Sequence, residues 1–168
     1  MSFDSERRFR LWDYNVSHKQ MLLRSPKSPD AATNLDIVMW GVEYLDLATS
    51  LDGVRMASAS REEVERAERA LGRPLDSSQV FGLISGDRRF IVVAAGFKVL
   101  ENDLDIFDSS LEYFAGTDPG RALGTVLAHS KGSGAGGLDT ERGAGNGAGT
   151  HLPLPSPSST TEAPPAAT

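Results

Sequence analysis

Val80-Phe81-Gly82-Leu83-Ile84-Ser85-Gly86-Asp87-Arg88-Arg89-Phe90-Ile91-Val92-Val93-Ala94-Ala95 decides the fold class. Gly86-Asp87 stands between two apolar runs and reads as a hairpin turn. Side chains alternate along a strand, so Phe90, Val92 and Ala94 point one way and Ile91, Val93 and Ala95 the other. Both sets are apolar, which marks a central strand covered on both faces. Phe97 to Leu100 continues beyond Gly96. Asp103-Leu104-Asp105-Ile106 alternates strictly, as an edge strand with one wet face does.

Upstream, strands come first. Phe9 to Val16 is aromatic and branched, Ser17-His18-Lys19 reads as a turn, and Gln20 to Arg24 returns. Ser25 to Thr33 contains Pro26, Pro29 and Asp30 and is expected to be a loop. Leu35 to Leu47 is the longest expected strand. Its competitor is a helix with Leu35, Val38, Val42 and Leu45 on one stripe, but Gly41 and the branched residues favour the strand. Asp52-Gly53 carries turn or bulge chemistry before a short strand, Val54 to Ser58.

One helix is strongly signalled, over about residues 61–71. Ser60 and Glu63 form a capping box, Glu62–Arg66 and Glu65–Arg69 are favourable pairs, and Val64, Ala67 and Leu71 make a narrow apolar stripe. Gly72 and Pro74 stop it. Ser109 with Glu112 repeats the capping pattern, predicting a short helix over Leu111 to Ala115. Asp118-Pro119 can start another through Leu123, Val126 and Leu127. The expected fold class is therefore α+β: a mainly antiparallel sheet of about six to seven strands, one clear helix and one or two short C-terminal helices.

Composition divides the chain. Residues 1–128 are expected to form a single globular domain. From His129 to Thr168 the only large apolar side chains are Leu138, Leu152 and Leu154, so 129–168 reads as a disordered tail. Eight of the 19 residues from Lys131 to Gly149 are Gly, and Pro, Ser, Thr and Ala dominate after His151. Gly132 to Gly137 matches G-x-G-x-x-G in form, but no helix start follows it to hold a pyrophosphate, so it reads as linker.

The 168 residues include no Cys, which excludes disulfides, a thiol nucleophile and thiolate-bound metal. Net charge is −6, against the basic footprint of a nucleic-acid binder. No signal sequence or apolar run of spanning length is visible, so the expected location is cytoplasmic, with no membrane partner. No cofactor motif is present.

Two charged stretches carry the candidate sites. Glu101, Asp103, Asp105, Asp108, Glu112 and Asp118 follow one another with no basic residue between Val99 and Gly120. Asp103-x-Asp105 opens like a calcium loop, but the Gly at the sixth place and the Glu at the twelfth are missing. Arg7, Arg8 and Arg10, with Lys19, Arg24 and Lys27, are interleaved with Phe9, Trp12 and Tyr14. Such a pattern can bind single-stranded nucleic acid, but the first 30 residues are only +2 and the aromatics sit at strand spacing. His18 alone cannot assemble a zinc site and lacks a partner for acid–base work. The candidate binding residues are Glu101, Asp103, Asp105 and Asp108, and Arg7, Arg8, Arg10, Trp12 and His18. The expected function is a small, soluble, non-catalytic protein–protein module using a charged sheet edge, in the manner of an inhibitor, an immunity protein or an assembly accessory. The alternatives are an enzyme with an Asp/Arg/Ser site and a ligand-sensing domain. A further expectation is internal: the basic first strand pairs beside the acidic 101–108 strand.

Overall fold

The computed structural model describes residues 3–113 and 119–128. Nine antiparallel strands form one sheet: β1 (Asp4–Asn15), β2 (Gln20–Ser25), β3 (Asn34–Trp40), β4 (Tyr44–Asp46), β5 (Ser50–Ser58), β6 (Val80–Ser85), β7 (Arg88–Val93), β8 (Gly96–Asn102) and β9 (Arg121–Leu127). Among the described residues there is one α-helix, α1 (Arg61–Leu71), between β5 and β6. The strand order is β4-β7-β6-β5-β1-β2-β3-β8-β9. The expected α+β class with an antiparallel sheet holds, with more strands than the six to seven expected.

The order hides a closure. β3 and β4 are three residues apart in the chain, and β7 and β8 two, yet each pair is split towards opposite ends of the order. The pairing runs β1–β2–β3, along the chain past Gly41 into β4, then β7–β6–β5 and back to β1. The sheet is thus rolled into a barrel, and β9 pairs with β8 beyond the ring. Two sharp corners make the roll. At the first, Gly41 has φ +62°, and a Cβ there would stand 2.7 Å from the Cβ of Ala95. At the second, a Cβ on Gly96 would stand 2.6 Å from Cζ2 of Trp40. The Ala95 N–H donates to the Trp40 carbonyl across this crossing. Only glycine lets the two bent chains come so close.

The interior is filled by alternate residues of seven strands, among them Phe9, Met21, Ile37, Leu51, Leu83, Phe90 and Phe97. Phe81 and Phe97 meet edge to face, 5.3 Å between centroids. Two outer patches complete the packing. Ile91 and Val93 face outward under Ala67 of α1, joined by Val64 and Leu71. Phe90, Val92 and Ala94 face the interior, so the two-sided burial read from the sequence is correct. β7 is also flanked on both sides, by β6 and by the three-residue β4, while Ala95, at the corner, is exposed.

α1 keeps its capping box, Ser60 Oγ accepting from the Glu63 N–H and the Glu63 carboxylate accepting from the Ser60 N–H. Gly72 ends it at φ +67°. In place of the expected pairs Glu62–Arg66 and Glu65–Arg69, the ion pairs are Arg61–Glu65 and Arg66–Asp46. Glu63 also takes a bidentate pair from Arg89 on β7, fastening the helix to the barrel.

Two sequence expectations fail towards the C-terminus. Asp103–Ile106 is not a strand, because Asn102 and Asp105 accept hydrogen bonds from the Leu104 and Phe107 N–H groups and turn the chain instead. The expected helix through Leu123, Val126 and Leu127 is strand β9, its backbone taken up by β8. The short helix expected over Leu111–Ala115 is present as a 3-10 helix, Ser110–Tyr113, and residues 114 and 115 lie outside the described residues. Leu35–Leu47 is two strands, broken at the Gly41 corner. The expected tail 129–168, with its Gly-rich motif, His129 and His151, lies outside the described residues.

Candidate functional site

The second outer patch builds a platform. β2 and β3 are buried on both faces, so the residues that alternate outward are as enclosed as those inside. Leu22 and Val38 face outward with Leu100, Leu111 and Trp12. One step along the same strands, Arg24 and Asp36 stand opposite each other in register, 1 % and 0 % exposed. Two unpaired charges there would cost several kcal/mol each, so the environment must satisfy them. Arg24 binds both carboxylate oxygens of Asp36 at 2.8 Å, through Nε and Nη2. Its Nη1 donates to the Asp108 carbonyl at 2.7 Å, and the Trp12 ring lies over the guanidinium at 5.4 Å. Asn102 Nδ2 and the Ser110 hydroxyl donate to the Asp36 carboxylate. Among the described residues no buried side-chain nitrogen or oxygen lacks a partner.

This cluster carries the 103–113 segment. Arg24 grips Asp108, Asp36 grips Ser110, Asn34 Nδ2 donates to the Leu104 carbonyl, and Lys27 Nζ donates to the Asp103 carbonyl. Ser109 donates to Asp13 on β1. The β1–β2 register slips between Leu11 and Asp13, a bulge that lets Trp12 and Asp13 both serve this face. Between these anchors the segment arches outward. Its tip is Ile106 and Phe107, 58 % and 93 % exposed.

The sequence-derived candidates fall into separate places. Asp105 and Asp108 brace the arch: Asp105 accepts from the Phe107 N–H, and the Asp108 carboxylate accepts from the Asp105 N–H. Asp103 contributes its carbonyl to Lys27. Asp103 and Asp105 therefore do not project from one strand face. Glu101, next to last in β8, pairs with Arg121 of β9 and accepts from the Thr33 hydroxyl. The Arg121 hydrogen bond, then that of Thr33, and last the field of Arg7 hold its carboxyl below the usual range. Trp12 belongs to the platform. Arg7, Arg8 and Arg10 lie further along β1, and His18 sits in the β1–β2 turn, at the other end of β2 from Arg24. β1 pairs with β2 and β5 and β8 with β3 and β9, so the expected pairing of the basic strand beside the acidic one does not occur. Sequence reasoning passed over Asp36. Its signal is visible in retrospect: an acid inside Leu35-Asp36-Ile37-Val38-Met39 demands a buried partner.

A groove of about 520 Å³ also lies between the β5–β6 side and β9, lined by Met56, Phe81, Phe97, Val126 and Leu127 with Ser58, Ser77 and Ser78, and no titratable side chain lines it. Among the described residues no group of three or more His, Asp or Glu is placed to hold a metal ion, and no helix is long and apolar enough to cross a membrane. Comparison with protein-family models, curated proteins and solved structures finds no match.

Proposed function

We propose that the domain is a non-catalytic protein-binding module whose contact is the 103–109 arch. The observation that supports this most is Phe107, 93 % exposed at the tip of a segment clamped from below by Arg24, Asp36, Asn34 and Lys27. A large aromatic held out in water forgoes about 1.5–3 kcal/mol of burial within its own chain. On a rigid support that burial is released on binding, with little ordering cost. Aromatic anchors of this kind dominate interface energetics. Asp103, Asp105 and Asp108 flank the tip, while Lys27 and the Asp36-paired Arg24 hold the arch from beneath, so the partner is a protein offering an apolar pocket rimmed by Lys or Arg. The expected charged contact is thus kept, moved from a sheet edge to an arch.

The test is a photo-reactive phenylalanine analogue at position 107 and, separately, at Val16, which is 74 % exposed in the β1–β2 turn. Irradiation in cells of the native source should give a discrete adduct from 107 and none from 16. The protein identified should then bind the purified chain, and Phe107→Ala should weaken it at least tenfold, the effect of a ~1.4 kcal/mol loss. An identified partner that binds Phe107→Ala as tightly as the native chain overturns the proposal, as does an adduct from 16 alone.

A further inference from the structure

The shallow cleft between β1 and the 26–33 loop is lined by Arg7, Arg8 and Arg10, with Ser25, Ser28 and Asp30, and offers about 450 Å³ open to solvent. Its three guanidinium groups are unequally neutralised. Arg8 pairs with Asp52 at the surface. Arg7 is fixed by four hydrogen bonds, to the Ser25 hydroxyl and to the carbonyls of Ser25, Pro26 and Thr33, at 2.9–3.0 Å. All four acceptors are neutral. Asp30 is the one acid among the residues that line the cleft, and Glu101, which feels the field of Arg7, is already paired with Arg121. Arg10 stands opposite Arg24 in the β1–β2 register, a like-charge neighbour, and has no hydrogen-bond or ion-pair partner among the described residues. Asp36 neutralises Arg24 and leaves nothing for Arg10.

From this geometry we propose that the cleft binds the phosphate group of a small phosphoester. A phosphate monoester carries close to two negative charges at neutral pH and accepts paired hydrogen bonds from a guanidinium fork. Arg10 supplies the free fork, Arg7 a cation already positioned by the loop, and Arg8 a third charge that can exchange its exposed partner. The volume suits the phosphate and a small organic group. The cleft adjoins the foot of the 103–109 arch, where Lys27 of the same loop donates to the Asp103 carbonyl, but none of its lining residues belongs to the arch, so the site does not depend on the protein-binding reading.

Side-chain Nε–Hε resonances of the arginines report on it directly. The full chain is titrated with inorganic phosphate and with phenyl phosphate, each against KCl at matched ionic strength. The Arg10 and Arg7 resonances should move saturably with both phosphates and not with KCl, while that of the exposed Arg61 stays still. Phenyl phosphate should bind at least as tightly as inorganic phosphate. Arg10→Gln should weaken binding at least fivefold, and Arg10→Lys should recover part of the loss. Because Arg10 has no described partner, both variants should keep the native spectrum elsewhere. Shifts that follow ionic strength, that appear equally at Arg61 or that persist in Arg10→Gln would overturn the proposal. Binding of inorganic phosphate alone would overturn the phosphoester part.

Discussion

β8 is entered and left in opposite ways. The chain reaches it through Ala94 and Ala95, which lie in the crossing where Gly41 and Gly96 allow two bent strands to touch. It leaves through the 103–113 arch, whose aromatic tip touches almost nothing. At the corner a side chain on Gly41 or Gly96 has no room, so substitution there acts on folding. At the tip the fold asks for no particular side chain, and an exposed phenylalanine calls for a reason outside the fold. The platform of Arg24 and Asp36 connects the two regimes: buried as deeply as the core, it holds the arch in place.

The largest effect is expected at the corner. Gly96→Val would press its side chain into Trp40 and the Val126 carbonyl, each 2.6 Å from the first added carbon. It should cost more than about 3 kcal/mol and leave little soluble, folded protein. Gly86, in the β6–β7 turn, is the control. It has φ +58° but nothing within 4 Å of an added Cβ, so Gly86→Ala should cost only about 1 kcal/mol. Circular dichroism and urea unfolding of the two separate close packing from backbone strain.

The platform comes next. Asp36→Asn leaves Arg24 charged, buried and without its counter-ion, at a cost of about 3–5 kcal/mol by urea unfolding. Arg24→Met with Asp36→Leu removes both charges and should recover much of that loss. Amide exchange at residues 105–109 should nevertheless speed up in the double variant, because the clamp on Asp108 and Ser110 is gone.

The fold was legible wherever hydrophobic period and turn chemistry agreed. The β6–β7 hairpin, the β1–β2 turn and the capped helix α1 all follow from a few residues each, whereas the strand expected from Val54 begins already at Ser50 and the bulge opposite Gly53 lies on β1. The closure was not legible, because it depends on which distant strands meet at Gly41 and Gly96, and both glycines look locally like ordinary strand interruptions. Leu123, Val126 and Leu127 fit a helical stripe as well as a strand, and only the edge of β8 decides between them. At the site, the acids from Glu101 to Asp108 were visible as a cluster. Their geometry was not, because Asx turns cannot be separated from a polar edge strand by alternation alone. Arg24 and Asp36 stayed hidden as a pair because their meeting depends on the β2–β3 register.

A smaller effect is expected where α1 meets the barrel. The Arg89 hydrogen bonds, opposed by burial and aided by the Ser60 N–H, hold the Glu63 carboxyl at about 2, down from 4.5. A lowered folded-state value means that its stabilisation is complete above the unfolded value of 4.5 and is lost as the pH falls towards 2. Glu63→Gln should therefore cost about 1–2 kcal/mol at pH 7, reduced by the partial exposure of Arg89. The native and variant curves should converge between pH 4.5 and 2. A difference that stays constant over that range would show that the loss comes from packing.

The smallest effect is the most informative. Urea unfolding of Phe107→Ser against the native chain asks directly whether the tip serves the fold. If the ring is held out for a partner, the two unfolding free energies should agree within about 0.5 kcal/mol, as for an ordinary surface substitution. A loss of about 3 kcal/mol or more, the cost of removing a buried phenylalanine, would show that the ring packs into the domain and would contradict its role as a docking anchor.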